Sequence, residues 1–531
     1  MKRLFTLILV STLFTACLEE LEDIDKVEVG TLNPDVAIPL VSTNFTMEEF
    51  LKEGNSVASI TEENGVILLT YSDTIISQGA DSLLVVEDQA SPDLVVSGAA
   101  MSAIPTNGSQ TFTRSATFNI NNSGGDQLDS IWLSAGDLMS AVEVDAPVSG
   151  NVTITFNSIQ QNGQSIAQTL SWTFDGTNSN QTVNATDDLT GASLVLTMGG
   201  GTNEVSFEAS ITITNEGTPV SNTDEVRVNF SLANLEFAGI FGDITTRSIT
   251  TPRKSVDIDI FNNINEGAFQ LDDPRLELSF INSFGLPVAL GIDRIRAEAK
   301  DGSVIALTGD VVTNQSPFLL DAPNINEIGE SKTSSIAFNN TNSNLNDVFN
   351  SFPSQFLYRF PGQIDPNDIA NNFVLAESVI DIFLDIEIPL SGTISALQMV
   401  KTFDFDGNGI SELNEATLIV NTVNTFPLDA RLQVYFLDDA SNILDSLYDD
   451  NNGRLMVAAE IDGQGFASTP GELNDRVFVD AGKIDRIDQA TQLVMRVQLQ
   501  TANGGSVPIK ISPSNNLQVN MGIESELELN F

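Results

Sequence analysis

The sequence has 531 residues, with no histidine and a single cysteine. Without histidine, neither Ser-His-Asp nor Cys-His nucleophilic machinery can be assembled, and His-based zinc sites are excluded. One cysteine permits no internal disulfide, so stability must come from packing and strand pairing alone. Tyrosine and tryptophan are also scarce, at four and two residues, which is too few for the aromatic girdles of a membrane barrel even with 31 phenylalanines to help. Basic residues are few as well: 23 Lys and Arg stand against 72 Asp and Glu, a net charge of −49. Such a surface repels nucleic acid and anionic headgroups and suits divalent cations. Any catalysis would have to use carboxylates, Ser/Lys, Tyr or a hard metal. With so many acids the sequence singles out no glycosidase-type carboxylate pair. Hydrophobic residues make up 41% of the chain, so it can bury cores, and its length suggests about two to four domains.

The cysteine stands where an export signal ends. Lys2 and Arg3 precede an apolar run from Leu4 to Phe14, and Thr15 and Ala16 are the small residues before a cut. This is the layout of a secretory signal, too short to span a bilayer as a helix. Phe14-Thr15-Ala16-Cys17 resembles the bacterial lipobox, although Phe14 departs from the usual Leu. That resemblance implies that Cys17 carries a diacylglycerol and becomes the first residue of the mature protein. Each buried methylene contributes about 0.8 kcal/mol, so the two or three chains of the lipoprotein family would anchor stably where one would not. Removing residues 1–16 takes away Lys2 and Arg3, leaving 21 basic against 72 acidic residues, or −51. Glu19, Glu20, Glu22, Asp23 and Asp25 follow the cysteine closely. Taken by themselves they form a solvated tether. The tract also resembles that of Bacteroidota surface lipoproteins, which implies export to the outer leaflet.

Folded sequence is expected from NPDVAIPLV onward. Residues 46–54, TMEEFLKEG, predict a short helix with Thr46 and Glu49 as a capping-box pair and Gly54 at C′. From about residue 95 to 245 the chain alternates apolar and polar residues between Gly, Asn, Asp and Ser clusters, the signature of half-buried antiparallel strands. In SFEASITIT, for example, Phe207, Ala209, Ile211 and Ile213 share one face. Further helices are expected around SNLNDVFNSF, ended by Pro353, and over residues 482–491. The closing segment places Leu517, Val519, Met521, Ile523, Leu527, Leu529 and Phe531 on one side of a long strand. A barrel would end this way too, but a core-closing strand accounts for it without girdles.

An internal echo points to duplication. Asn282-Ser283-Phe284-Gly285-Leu286 and Asn424-Thr425-Phe426-Pro427-Leu428 each follow one strand and precede another, with a turn and return strand beyond. The physical reading is a repeated corner, with Phe and Leu plugging a sandwich while Asn caps the bend. It resembles the corner of LEA/WHy-type β-sandwiches. The fold class expected is all-β: tandem antiparallel β-sandwich domains with a few short helices. The boundaries expected are residues 1–16 signal, 17–33 tether, 34–248 N-terminal region, 249–395 middle domain and 396–531 C-terminal domain.

One segment has metal-ligand spacing. In DFDGNGISELNE, Asp404, Asp406, Asn408, the Ile410 carbonyl, Glu412 and Glu415 fall at the offsets of a calcium loop, with Gly409 at the sharp turn. It resembles thrombospondin-type-3 or dockerin acidic loops more than a helix-flanked EF-hand. The alternative is an acidic loop between strands. Trp132 and Trp172 are the aromatic candidates for stacking on sugars, but each lies in an alternating strand and is expected in a core. Gly199-Gly200-Gly201 opens no helix and is not a phosphate cradle. The expected role is a non-catalytic structural, adhesive or ligand-binding protein anchored in outer-membrane lipid and displayed at the surface. Its expected partners are an outer-membrane complex or an extracellular glycan or protein, and not nucleic acid. The alternative is a glycan-binding or carboxylate-dependent glycan-hydrolysing lipoprotein.

Overall fold

A computed structural model describes residues 35–526, apart from 53–58, 83, 122–123, 199–202, 250–251, 259–268, 293, 300, 315–316, 366, 368–369, 407–409, 411–412, 414, 450–452 and 503–506. The chain is all-β, 61% strand and 7% helix, in several antiparallel sheets with a few short helices. It divides into two compact units. One joins the described residues of 35–52 and Phe269 to those of 392–526, and the other holds those of 59–258 and 270–391.

The first unit contains a four-stranded sheet in the order Asp35–Thr46, Asn516–Glu526, Glu415–Asn424, Gly471–Asp480. Its facing sheet sets Leu397–Asp404 and Asp429–Leu437 on either side of Gln492–Gln500. Leu517, Val519, Met521 and Ile523 are buried, so the long closing strand seals a core as its alternation implied. Leu527, Leu529 and Phe531 lie outside the described residues.

The second unit repeats this topology. Val66–Gly79, Val379–Pro389, Arg275–Asn282 and Lys332–Phe338 form the matching sheet, extended at one edge by Ser59–Glu63. Opposite it, Lys254–Asp257 and Arg294–Ala299 flank Pro353–Arg359. In each unit a short helix follows the fourth strand of the first sheet: Ala481–Asp488 in one and Leu345–Phe349 in the other. In each, too, the first strand is contributed by a segment far upstream of the rest. Strand pairing therefore cuts across the expected linear division: residues 34–248 do not form one region, because Asp35–Thr46 pairs with Asn516–Glu526 and Val66–Gly79 pairs with Val379–Pro389. An alternating strand carries no mark of which edge it will fill, and a sandwich edge can be completed from any distance along the chain.

The second unit also holds a small four-stranded sheet, in the order Arg247–Ile249, Gly362–Ile364, Val288–Leu290, Phe318–Leu320, and an eleven-stranded sheet built on two 19-residue strands, Gln127–Asp145 and Glu225–Asp243. Phe207, Ala209, Ile211 and Ile213 are buried, as the pattern predicts. Phe156, Phe207 and Phe118 pack their rings edge-on around Phe230 at 4.8, 4.8 and 5.4 Å, a geometry favoured by the ring quadrupoles.

Two of the helices carry side-chain caps. Met47–Lys52 begins where Thr46 and Glu49 exchange hydrogen bonds: the Glu49 amide donates to Thr46 Oγ1 at 3.2 Å, and the Thr46 amide donates to Glu49 Oε2 at 3.3 Å. Gly54 lies outside the described residues. Asp480 caps Ala481–Asp488 by accepting the Lys483 amide at 2.9 Å. Pro353 opens the strand after the Leu345–Phe349 helix.

The two corners are the same structure built twice. Asn282 Nδ2 donates to the carbonyls of Leu286 and Asp321, both at 3.0 Å, while its Oδ1 accepts the Phe284 amide at 3.0 Å. Asn424 Nδ2 donates to the carbonyls of Leu428 and Val457 at 2.8 and 3.1 Å, and its Oδ1 accepts the Phe426 amide at 3.0 Å. The next residue clamps the neighbouring strand in both copies. The amide and hydroxyl of Ser283 donate to the Val379 carbonyl, and the Val379 amide donates back to the hydroxyl. Thr425 makes the same three bonds with Asn516. Asn282, Phe284, Leu286, Asn424, Phe426 and Leu428 are all buried. A buried amide with its donors and acceptor all used rigidifies a bend that would otherwise strand backbone groups away from water.

Candidate functional site

Cys17 and the acidic tract lie outside the described residues. For the acidic loop, Leu397–Asp404 and Glu415–Asn424 flank it as strands, so no EF-hand helices are present around it. Asp404 ends its strand opposite Gln492, and Glu415 begins its strand opposite Asp480, so the loop crosses from one sheet of the unit to the other. Asp404, Asp406 and Glu415 are exposed and Ile410 is half-buried, while Asn408 and Glu412 lie outside the described residues. Among the described residues no three acidic side chains are gathered as metal ligands.

The two tryptophans part company. Trp172 is buried, and its ring passes so close to Gly150 that a Cβ there would sit 2.4 Å from it. Trp132 corrects the core expectation, being 44% exposed. Its neighbours Ile131 and Leu133 are both buried, and on a strand that parity turns the residue between them outward. The Trp132 ring leans on Phe241 at 4.4 Å, and Phe241 stacks on the buried Phe373 at 6.2 Å. Trp132 is thus a surface aromatic held in place by a buried aromatic pair.

A cavity of about 300 Å³ opens on the sheet that contains Val379–Pro389, Arg275–Asn282 and Lys332–Phe338. Arg275 and Glu277 line it from one strand and Asp273 from the segment just before it, Asp385 and Glu387 from the next strand, and the Asn339-Asn340-Thr341 turn closes its rim. The guanidinium of Arg275 is saturated by three carboxylates: Glu63 at 2.8 Å, Glu387 at 3.1 Å and Asp273 at 3.2 Å. The Glu63 bond drives the Arg275 pKa above its ordinary value, and the same bond holds the Glu63 carboxyl below its own. Glu277 and Asp385 face each other across the strands, with Ser72 Oγ donating to Asp385 Oδ1 at 2.6 Å. The result is an acidic polar groove whose one positive charge is already neutralised. It suits hydroxyl-rich or cationic groups. Sequence reasoning missed it because Glu63 reaches Arg275 across 212 residues and the other acids are scattered among 72.

No protein-family model matches this chain, and no curated protein matches it. Among solved structures, it is similar to a “putative secreted protein” from Parabacteroides distasonis at 11% identity, with 93% of this chain and 100% of that one covered and a TM-score of 0.32. A structure of infectious bursal disease virus, Gt strain, aligns at 7% identity over 91% of this chain and 87% of that one, with a TM-score of 0.13. An archaeal virus protein with a triple jelly roll aligns at 9% identity over 78% and 90%, with a TM-score of 0.11. Likenesses this slight carry no function across to this chain.

Proposed function

We propose that this chain is a lipid-anchored surface protein of an outer membrane whose work is non-catalytic: structural, adhesive or ligand-binding. The observation that carries this reading is the placement of the one cysteine, after an eleven-residue apolar run and directly before a cluster of acids. The absence of histidine supports the non-catalytic part, since the commonest general base is missing. Mass spectrometry of the N-terminal peptide is expected to find an acylated Cys17 as residue one, and Cys17→Ala is expected to move the protein from the membrane to the soluble fraction. An unmodified Cys17 retained in the mature protein defeats the reading.

A second reading is favoured by Trp132. An exposed indole seated on an aromatic pair is a surface on which the apolar face of a sugar ring can stack. In this reading the display protein binds glycan on its eleven-stranded sheet. Titration with neutral cello-, xylo- and manno-oligosaccharides is expected to change tryptophan emission, and the response should vanish in Trp132→Ala and survive in Trp172→Phe. No response across the panel removes the glycan reading and leaves the anchor reading intact.

A further inference from the structure

We propose that the strand Ser109–Asn119 is a pairing edge for a second copy of this chain. It ends the eleven-stranded sheet, and among the described residues its only strand partner is Glu204–Asn215. Their register runs unbroken from Asn119 opposite Glu204 to Ser109 opposite Thr214, with no bulge. The strand is eleven residues long and contains no proline, no lysine and no acid, and Arg114 is its one charge.

Exposed edges offer a row of unpaired amides and carbonyls, and proteins that stay monomeric blunt them with charges, proline or bulges. Among the described residues, four other edge strands are blunted in those ways. Asp35–Thr46 carries Pro39 and a register shift beside it. Gly471–Asp480 carries Glu472, Asp475, Arg476 and Asp480. Ser59–Glu63 ends in two glutamates, and Leu397–Asp404 carries Lys401. Ser109–Asn119 has no proline, no bulge, no lysine and no acid, and a single arginine is its only charge.

Charge and side-chain matching single out a second copy as the occupant. Two chains of net charge −49 repel wherever acids meet, so a contact between copies needs an acid-free strip, and none of the 72 acids lies on this strand. The strand already pairs hydroxyl with hydroxyl on its inner side: Ser109 with Thr214 at 2.8 Å and Thr111 with Thr212 at 2.9 Å. An antiparallel two-fold about Thr113 continues that pattern. It sets Thr111 opposite Ser115 and Ser109 opposite Thr117. It also sets Arg114 opposite Phe112, a cation over a ring instead of two facing guanidiniums.

Sedimentation velocity of the full chain tests this. A concentration-dependent dimer is expected, tighter in 0.5 M than in 0.1 M salt because screening relieves the net repulsion. Thr113→Lys sets two ammonium groups against each other at the two-fold and is expected to weaken the dimer at least tenfold, while Thr113→Val is expected to keep it. Circular dichroism melts of both variants confirm that the fold is intact. A wild-type chain that stays monomeric at every concentration and salt overturns the proposal. So does a dimer indifferent to Thr113→Lys in a folded variant, since the contact then lies elsewhere.

Discussion

Replacing Asn424 by alanine should destabilise its unit by about 3 kcal/mol, and Asn282→Ala should do the same in the other unit. Each amide satisfies three backbone groups, and in each corner two of the three bonds are described by fully buried partners or nearly so. Truncation leaves those groups without partners, at roughly 1 to 3 kcal/mol apiece before water or relaxation recovers a part. The aspartate variants should be worse at neutral pH. The carboxylate keeps the bond from the Phe426 or Phe284 amide but turns two donations into contacts between oxygens. Burial against carbonyls raises the folded-state pKa of that new carboxyl above its unfolded value. The loss is therefore fully present well above the folded pKa and shrinks as the pH falls through it, when the protonated acid recovers a donor. Calorimetry reads both units. Tryptophan emission reads only one, because Trp132 and Trp172 both lie in the unit of Asn282. Alanine variants melting within about 0.5 kcal/mol of the parent would show that the corner does not depend on its amide.

Gly285→Ala is the second large effect, expected at about 2 to 3 kcal/mol. The two corners differ at this position, with Gly285 in one and Pro427 in the other, and the structure gives the reason. A Cβ on Gly285 would lie 2.3 to 2.7 Å from three ring carbons of Phe373. Phe373 is fully buried and stacked on Phe241, so its ring cannot swing aside. The Gly285 amide also donates to the Phe373 carbonyl at 2.9 Å, a bond that proline cannot make. Gly285→Pro should therefore exceed Gly285→Ala, whereas Pro427→Ala should cost less than about 1 kcal/mol. Urea unfolding followed by tryptophan emission checks the first pair, and calorimetry checks the third. Equal, small losses at both corners would mean that the Phe373 contact places no demand on residue 285.

Legibility differed by the range of the physics involved. The strand face of Phe207, Ala209, Ile211 and Ile213 was readable because alternation is a local signal that one buried face enforces. The corners were readable because Asn-x-Phe chemistry is completed largely within five residues, from Asn282 to Leu286 and from Asn424 to Leu428. The echo of the two corners is the visible part of a longer structural repeat that includes the helix after the fourth strand and an upstream first strand. Trp132 was misplaced because aromatic character in an alternating strand suggests a core, while the parity of Ile131 and Leu133 decides the face. The sequence does not give that parity, because Leu128, Leu138, Val142 and Val144 stand in step with Trp132 and are buried, and irregular pairing between Trp132 and Asp137 switches the face. The groove around Arg275 was not available, since Glu63 and Glu387 come from two other strands that only pairing brings to it.

By itself, then, the sequence determined the all-β class, the repeated corner and the chemistry denied to a chain without histidine, because each depends on residues close together or on composition. Tertiary structure alone decided that Asp35–Thr46 closes a sheet with Asn516–Glu526 and that Glu63 meets Arg275. Strands of equal alternation are interchangeable until a core selects among them. That selection is made by shape, edge and burial over hundreds of residues, where local pattern has nothing to say.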